Sequence, residues 1–474
     1  MAIFNRLRRG VGTATPNQVL AIACVGICLA NLDLFIVNVA LPKIAQDFGH
    51  ASLDDMSWVL NAYAIAYAAL LVFFGRLAER YRRNMSFLLG VGLFTVASAA
   101  CGAANGVGTL VVFRVVQAAG AALMTPTSIG LLLASFPPER RAHAVRVWTA
   151  LGGFAAALGP VVGGLLVTVS WRWIFMVNVP VGVIAIAIGY WKLPEVPGHD
   201  VPKPSPVAAI LISFGIAALV LAIVKGNDWG WGSPGTLVSL ALAAFCLALF
   251  AAHCFRSITP FLDPSLFRIS SFAGATLVMA PYSAAFGAML LSVALWAQSA
   301  WNWSALQTGL AIMPGPLLVP TTSLLVGGRL LERFGPAAVI SAGIAFFGAG
   351  LMLYAVSIDL EPNGLLIVLG MIPTGIGVGL TFPTLMGVAT SGLPASSFAT
   401  GSGVVNMIRQ AALAVGVAIF VAIIGRTDTP AAYLAAFDRG WWVMVAVTAL
   451  GLIPVAAFLT RPRPVKSIAV APAK

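Results

Sequence analysis

Three ionisable residues stand inside long apolar stretches of this sequence, namely Asp33, Arg114 and Arg409. A charged side chain near the centre of a membrane-spanning helix costs roughly 2.5–3.5 kcal/mol on insertion scales. Such residues are therefore kept mostly for a proton relay, a substrate pathway or a charged partner. Asp33 is the carboxylate of the set and lies within the apolar run Leu32–Pro42, so it is the first candidate for proton chemistry.

Asp33 and Arg114 lie at matching depths in their segments. Asp33 comes about eight residues before the end of the first apolar segment, and Arg114 about six or seven residues after the start of the fourth. At ~1.5 Å per helical residue, both lie roughly 10–12 Å below the same membrane surface, so they are predicted to meet. The pair is either a charge pair that lets two costly residues insert, or a protonation site. We favour the protonation site because buried charge pairs contribute little stability.

Arg409 lies near the middle of its own apolar segment. Two roles stay open for it: binding the backbone carbonyls of a broken neighbouring helix, or facing the substrate. Polar and aromatic residues near the presumed cavity are the other candidates for contact with substrate. These candidates are Asn38, Tyr63, Gln117, Tyr282 and Phe286.

The composition defines the class of protein in which these residues act. The chain has 474 residues, of which 60% are hydrophobic and 9% are charged. A soluble domain carries about 25% charged residues. The chain is therefore predicted to be an all-α membrane protein that crosses the bilayer many times and has no separate soluble domain.

Several other classes of function are not supported. The net charge of +12 would suit a nucleic-acid binder, but in a membrane protein the distribution of charge over the loops reports topology instead, and no nucleic acid is expected as a partner. The five cysteines are scattered without a CxxC pair, which indicates neither a disulfide framework nor a zinc site. No paired acids, nucleophile beside a base, or metal cluster is visible, so we expect neither an enzyme nor a cofactor.

Fourteen apolar segments satisfy the length of about twenty residues that a spanning helix needs. The first follows a basic N-terminus and resembles a signal peptide, but its apolar run continues to Leu41, so we predict that it stays as a helix. The segments are 19–41, 57–74, 85–104, 108–133, 144–169, 174–191, 206–224, 236–255, 271–298, 306–326, 337–356, 365–388, 400–425 and 441–459.

The loop charges predict the orientation of these segments. Lys and Arg are about four times as frequent in the loops on the side of the N-terminus as in the opposite loops. Acidic residues lean to the opposite side, where Asp47, Asp54 and Asp55 lie. Because basic loops stay in the cytoplasm, both termini are predicted to be cytoplasmic, in the inner membrane of a bacterium.

A repeat divides the chain into two halves. Gly75–Arg82, after the second segment, matches Gly328–Gly335, after the tenth, in its Gly, Leu, Glu and Arg residues. Each copy follows the second helix of a six-helix set, which predicts a first bundle at 1–195, a linker with two inserted helices at 196–262 and a second bundle at 263–474. In such parallel repeats the substrate site lies at the midplane between halves that rock.

Three motifs add to the repeat. The loop after the second segment contains Gly75, Leu77, Ala78, Glu79, Arg80 and Arg83. The fourth segment contains Leu110, Arg114, Gln117, Gly120, Ala121 and Ala122. The fifth segment contains Gly159, Pro160, Gly163 and Gly164. Glycines permit close helix approach and proline removes a backbone hydrogen bond, so the fifth segment is predicted to bend and to pack between the halves.

These motifs resemble those of the major facilitator superfamily, and more narrowly its fourteen-helix drug:proton antiporters, over nearly the whole chain. The resemblance implies two six-helix bundles with two inserted helices, and export of small amphipathic or lipophilic drugs in exchange for protons. Asp33 and Arg114 would couple protons, and the gradient would replace any cofactor. The gating residues that it implies are Gly75, Glu79, Arg80, Arg83, Gly159, Pro160, Gly163, Gly164, Gly328, Glu332 and Arg333.

In the cycle that we expect, Asp33 takes a proton from the outside and releases it inside, while Arg114 holds the carboxylate in one conformation. One alternative is a dedicated exporter of a single antibiotic or metabolite with the same mechanism. Another, of a different class, is a receptor or lipid-handling protein on the same scaffold. The residues do not indicate whether an accessory export protein extends the route.

Overall fold

The computed structural model describes residues 14–49, 51–197, 205–257, 260–391, 393, 398–425 and 429–460. Every regular element in these ranges is a helix, so the prediction of an all-α fold is confirmed. Many helices begin at a residue that caps them. Thr15 accepts a hydrogen bond from the backbone N–H of Gln18 and precedes Pro16, and Ser52 accepts one from Asp55 in the same way.

The first part of the chain forms seven helices, two of them short segments of one crossing. They are α1 (Pro16–Asp47), α2 (Leu53–Arg80), α3 (Arg83–Gly102), α4 (Val107–Ser135), α5 (Pro138–Val167), α6 (Trp173–Met176) and α7 (Asn178–Lys192). Two more helices follow, α8 (Pro206–Trp229) and α9 (Pro234–Arg256).

The last part of the chain is more often interrupted, because several prolines and glycines lie inside its apolar stretches. Its helices are α10 (Ser270–Ser299), α11 (Ala305–Ile312), α12 (Pro314–Thr322), α13 (Gly328–Ser357), α14 (Gly364–Ser391), α15 (Phe398–Ile424), α16 (Pro430–Leu450) and α17 (Leu452–Pro454). A 3₁₀ turn at Pro264–Arg268 precedes α10, and single π turns at Ser323–Gly327 and Val455–Leu459 follow α12 and α17.

In the described part of the chain, 12 helices are long and apolar enough to cross a membrane. One of them, Ala305–Ser357, has 53 residues, which is ~80 Å of helix against a hydrocarbon core of ~30 Å. Its backbone breaks at Gly335, where φ is 76° and Pro336 follows. Helix α5 adds a shorter apolar stretch, Leu151–Val167. The chain is thus a multi-pass membrane protein, and the count of fourteen spans stays a prediction.

The helices pack mainly within two groups. In the first part of the chain α1 packs on α5, and α4 packs on both α2 and α3. In the last part α13 and α12 pack on α14, and α10 packs on α15. The α8–α9 hairpin lies against α2 and α15, and the two groups meet where α2 contacts α15 and where α5 contacts α11 and α12. The boundaries at 195 and 262 stay predictions.

The two groups touch backbone to backbone where α5 meets α11. A Cβ atom on Gly164 would lie 2.7 Å from the carbonyl oxygen of Ala305, and one on Gly309 would lie 2.2 Å from that of Pro160. Only glycine permits this approach. The contact lies toward the end of the bundle that the loop charges predict to face outward, which is termed the outer end. The fold is therefore closed at the outer end.

Candidate functional site

Asp33 lies at the centre of a buried polar network that four helices build. Its side chain is 0% exposed. Arg114 Nη1 on α4 donates to Asp33 Oδ2, so the predicted contact between them is present. Gln117 Nε2 donates to Asp33 Oδ1 over 2.8 Å, and Asn178 Nδ2 on α7 donates to the same oxygen over 3.3 Å. Both carboxylate oxygens are therefore hydrogen-bonded.

A second set of contacts holds the groups that bind Asp33. Ser98 on α3 accepts hydrogen bonds from Gln117 over 2.8 Å and from Asn178 over 3.5 Å. Arg114 Nη1 also donates to Gln117 Oε1 over 2.7 Å. These two residues are three apart on α4, a spacing that places them on one helix face. The network is thus positioned by α1, α3, α4 and α7 together.

Arg114 is fixed by the backbone and by aromatic rings as well as by Asp33. Its Nε donates to the carbonyl of Val59 on α2 over 3.2 Å. Its guanidinium carbon lies 4.0 Å from the ring centroid of Tyr63 and 5.8 Å from that of Phe175, distances typical of cation–π contacts. Arg114 Nη2 is buried and makes no hydrogen bond. The guanidinium of Arg114 is therefore held in place by a carbonyl and two aromatic rings in addition to the carboxylate of Asp33.

A cluster of aromatic rings lies between the two groups of helices. Phe286 on α10 is 6.1 Å from Phe35 on α1 and 5.4 Å from Phe382 on α14, measured between ring centroids. Tyr282 packs on Phe347 at 4.9 Å and on Phe382 at 5.2 Å. Phe35, Phe286 and Phe382 are partly exposed although they lie within the spans, whereas Tyr282 is fully buried. The rings of Phe35 and Phe286 thus meet across the boundary between the two groups.

The candidates for a substrate cavity separate into two sets. Gln117 and Tyr63 belong to the network around Asp33 and are 0% and 1% exposed, so in this conformation they do not line open space. Asn38 is partly exposed and donates to the carbonyl of Leu34 on its own helix over 3.1 Å. Phe286 lies beside both groups, since its ring contacts Phe35 on α1 and Phe382 on α14. The assignment of a substrate cavity stays a prediction.

Arg409 lies on α15 with its guanidinium carbon 5.8 Å from the ring centroid of Phe382. Within the described ranges it forms no ion pair, and its Nε is buried without a hydrogen-bond partner. Of the two roles left open for Arg409, capping of backbone carbonyls is therefore not observed in this conformation.

The two copies of the repeated motif lie at the end opposite to the outer end. Arg83 Nη1 donates to the carbonyl of Gly130 over 3.5 Å, and Arg82 pairs with Glu195 at 3.2 Å. Around the second copy, Gly328, Glu332 and Arg333 are exposed. Gly75 and Arg80 lie in α2, and the side chain of Glu79 falls outside the described part of the structure. Charge pairs that would latch this end stay a prediction.

The glycines of the fifth segment make the close contacts that their pattern predicts. Cβ atoms on Gly159 and Gly163 would lie 2.7 Å from Phe35 and 2.9 Å from the carbonyl of Ile36, both on α1. Gly164 faces the opposite way, toward α11. Helix α5 is therefore in backbone contact with the helix that carries Asp33 and with the other half.

Sequence reasoning missed Ser98 and Asn178 as members of the Asp33 network. Asn178 was detectable as an amide inside an apolar stretch, since such a group needs a buried partner. Ser98 resembles many other small polar residues in the chain, and no local signal marks it. Among the described residues, no group of three His, Cys, Asp or Glu side chains lies close enough together to hold a metal ion.

The fold and this site define a class of protein. Two groups of spanning helices meet through close glycine contacts, and a carboxylate and a guanidinium are buried together inside the first group. This is the architecture of a secondary transporter, in which two helical repeats rock around a central site.

Comparison with known proteins identifies the family. Residues 23–297 match the model of the Major Facilitator Superfamily, and the chain belongs to that family. It is 34% identical over 414 residues to the tetracenomycin C resistance and export protein of Streptomyces glaucescens, covering 86% of this chain and 75% of that protein. It is 33% identical over 401 residues to the multidrug resistance protein Stp of Mycobacterium tuberculosis (strain CDC 1551 / Oshkosh), covering 84% and 74%.

A solved structure supports the fold. The crystal structure of the peptide transporter POT in complex with sulfate aligns with a TM-score of 0.68 at 19% identity, over 95% of this chain and 97% of that one. The chain is accordingly a membrane transporter of the Major Facilitator Superfamily and not an enzyme, and its relatives include drug and antibiotic efflux proteins.

Proposed function

We propose that this transporter is a proton-coupled antiporter that exports small amphipathic molecules by alternating access. The observation that carries the proposal is the carboxylate of Asp33, which is fully buried within a span and held by Arg114. A buried acid whose charged partner is a guanidinium can serve as a proton site that a change of conformation loads or empties. The resistance and export functions named for the relatives support the direction of transport.

The proton step follows from the contacts. With the outer end closed, the carboxylate accepts hydrogen bonds from Arg114, Gln117 and Asn178. Opening of the outer end would let a proton reach Asp33, and the neutral acid would lose its ion pair. Arg114 would keep the carbonyl of Val59 and the ring of Tyr63 as partners. Protonation therefore loosens α1 from α4 without leaving the guanidinium unsupported.

The setting of the cycle belongs to the same proposal. The protein lies in the inner membrane of a bacterium with both termini in the cytoplasm, and the proton gradient drives export without a cofactor. Relatives named for one antibiotic and for many drugs both match the chain, so a dedicated exporter with the same proton step is the second candidate.

The proposal is tested with purified protein in liposomes that contain a pH dye. A proton gradient is imposed, and a panel of dyes and drugs is screened for movement of compound coupled to movement of protons. We expect Asp33→Asn to abolish this coupled transport, because the amide cannot carry a proton through the cycle. Asp359→Asn, which changes an exposed carboxylate in a loop, is the matched control and should transport like the parent.

The outcomes separate the candidates. Coupled transport of many compounds supports a multidrug exporter, and transport of one compound class supports a dedicated exporter. Uphill transport that survives Asp33→Asn refutes the role of Asp33. A parent protein that binds compounds without moving protons would instead be a receptor or lipid-handling protein.

A further inference from the structure

Arg409 is a cation within a spanning helix that has no anionic partner among the described residues. No described carboxylate lies within 4.0 Å of its guanidinium, and it donates no hydrogen bond to a described carbonyl. By contrast, Arg114 has a carboxylate, an amide and a carbonyl as partners. A lone cation at membrane depth is costly and is kept for a function.

The neighbours of Arg409 show that it faces the space between the two groups of helices. Phe382 on α14 lies on one side of it, and the hydroxyl of Tyr67 on α2 interacts with its charge. These neighbours come from both groups. Arg409 is partly exposed, as are Phe382 and the ring of Phe286 beside it. Arg409 therefore lies at the boundary between the two groups, with part of its side chain accessible.

The charges around this space do not cancel. Asp33 and Arg114 form an ion pair and contribute no net charge. Of the three ionisable residues well inside the apolar segments, only Arg409 then contributes a net charge, which is positive. In a space of low dielectric constant, an uncompensated positive charge repels a cation and attracts an anion much more strongly than it would in water.

We infer that the exported molecule carries an acidic group, a carboxylate or an ionised phenol, on a flat apolar body. The acidic group binds the guanidinium of Arg409 through charge-assisted hydrogen bonds, which are the strong ones in proteins. The body lies against the partly exposed rings of Phe286 and Phe382. This inference rests on the proposed function, because it names the class of molecule that the proposed exporter moves.

The test uses three fluorescent probes that share one body: anthracene-9-carboxylate, anthracene-9-carboxamide and 9-(aminomethyl)anthracene. Binding to the purified protein in detergent is followed by fluorescence anisotropy at neutral pH. We expect the carboxylate to bind at least ~10-fold more tightly than the amide, because a hydrogen bond between charged groups contributes about that difference in affinity. The ammonium probe should bind more weakly than both, because Arg409 repels its positive charge. Arg409→Gln should remove the preference.

Two variants keep the result interpretable. Arg409→Lys retains the positive charge but lacks the planar guanidinium that can donate two parallel hydrogen bonds. It should therefore keep an intermediate preference for the carboxylate over the amide, of about 3-fold. Arg268→Gln removes an exposed positive charge far along the chain from α15 and should leave all three affinities unchanged. Size-exclusion profiles and thermal midpoints of the variants report whether each one is folded.

A carboxylate that binds no better than the amide, or not at all, overturns the inference. So does a preference for the ammonium probe, or a preference for the carboxylate that persists in folded Arg409→Gln. Binding in detergent needs no proton gradient, so this outcome is independent of the proposed function. Anion binding without coupled transport would refute the antiport and leave the assignment of Arg409 intact.

Discussion

Substitution of Gly309 by alanine should open the outer end of the transporter. A Cβ atom at Gly309 would lie 2.2 Å from the carbonyl oxygen of Pro160, and real Cβ atoms essentially never come within 3.0 Å of heavy atoms from other parts of the chain. Helices α5 and α11 would therefore have to separate by about 1 Å in the closed state. They meet no such obstacle once the outer end is open.

The size of the effect follows from this overlap. Overpacking of a close contact costs about 1–3 kcal/mol. At ~1.4 kcal/mol for each tenfold change, the ratio of closed to open protein should fall by about 5- to 150-fold. The gain in helix propensity from Gly to Ala, about 1 kcal/mol, acts in both states and cancels. Gly348→Ala, a helical position with no heavy atom within 4 Å of the added Cβ, gains the same propensity without the overlap and is the matched control.

The shift is measurable as a distance across the outer end. The five native cysteines are first replaced, and spin labels are attached to Lys43→Cys in one group and Asp359→Cys in the other. Electron paramagnetic resonance then reports the distance between the two labels. Gly309→Ala should move the distribution to longer distances, and Gly348→Ala should not. An unchanged distribution in Gly309→Ala would show that the α5–α11 contact does not hold the outer end closed.

Two further substitutions test other contacts. Lys225 on α8 pairs with Asp54 on α2 at 3.3 Å, so Lys225→Ala should weaken the packing of α8 on α2 and lower the stability of the folded protein by about 1 kcal/mol, seen as a lower thermal midpoint that high salt mimics in the parent. Arg114→Lys keeps a charge for Asp33 but cannot also hold the carbonyl of Val59 and the ring of Tyr63. We expect it to fold and to lose at least ~10-fold in coupled transport in liposomes, and parental transport would refute this account of the guanidinium.

Much of the fold could be predicted because the bilayer imposes simple rules on sequence. Apolar stretches of about twenty residues locate the spanning helices. The meeting of Asp33 and Arg114 followed from depth alone, since 1.5 Å per residue converts position into height. Height, however, says nothing about the direction in which a side chain points around its helix.

That missing direction explains where sequence reasoning stopped. Gln117, which is predicted as a cavity wall, lies three residues from Arg114 on the same helix face and donates to Asp33 in this conformation, a contact that was not predicted. The spacing was visible in the sequence, but its use depends on how α4 is rotated toward α1. The contact between Gly309 and Pro160 could not be predicted from the sequence, because it depends on the register between two helices from different halves.

The contacts of α1 link the Asp33 network to the contact between the two groups at the outer end. Asp33 faces α4, while Ile36, three residues later, lies against Gly163 of α5. One residue further along α5, Gly164 touches the backbone of α11 in the other half. The contacts at Gly163 and Gly164 include close approaches to backbone atoms, so a movement of α1 away from α4 would be transmitted to α5 with little relief from side-chain rotation. Under the proposed antiport, α1 carries the proton on Asp33 and also contacts the helix that meets the other half, which is the physical requirement for coupling proton binding to closure of the outer end.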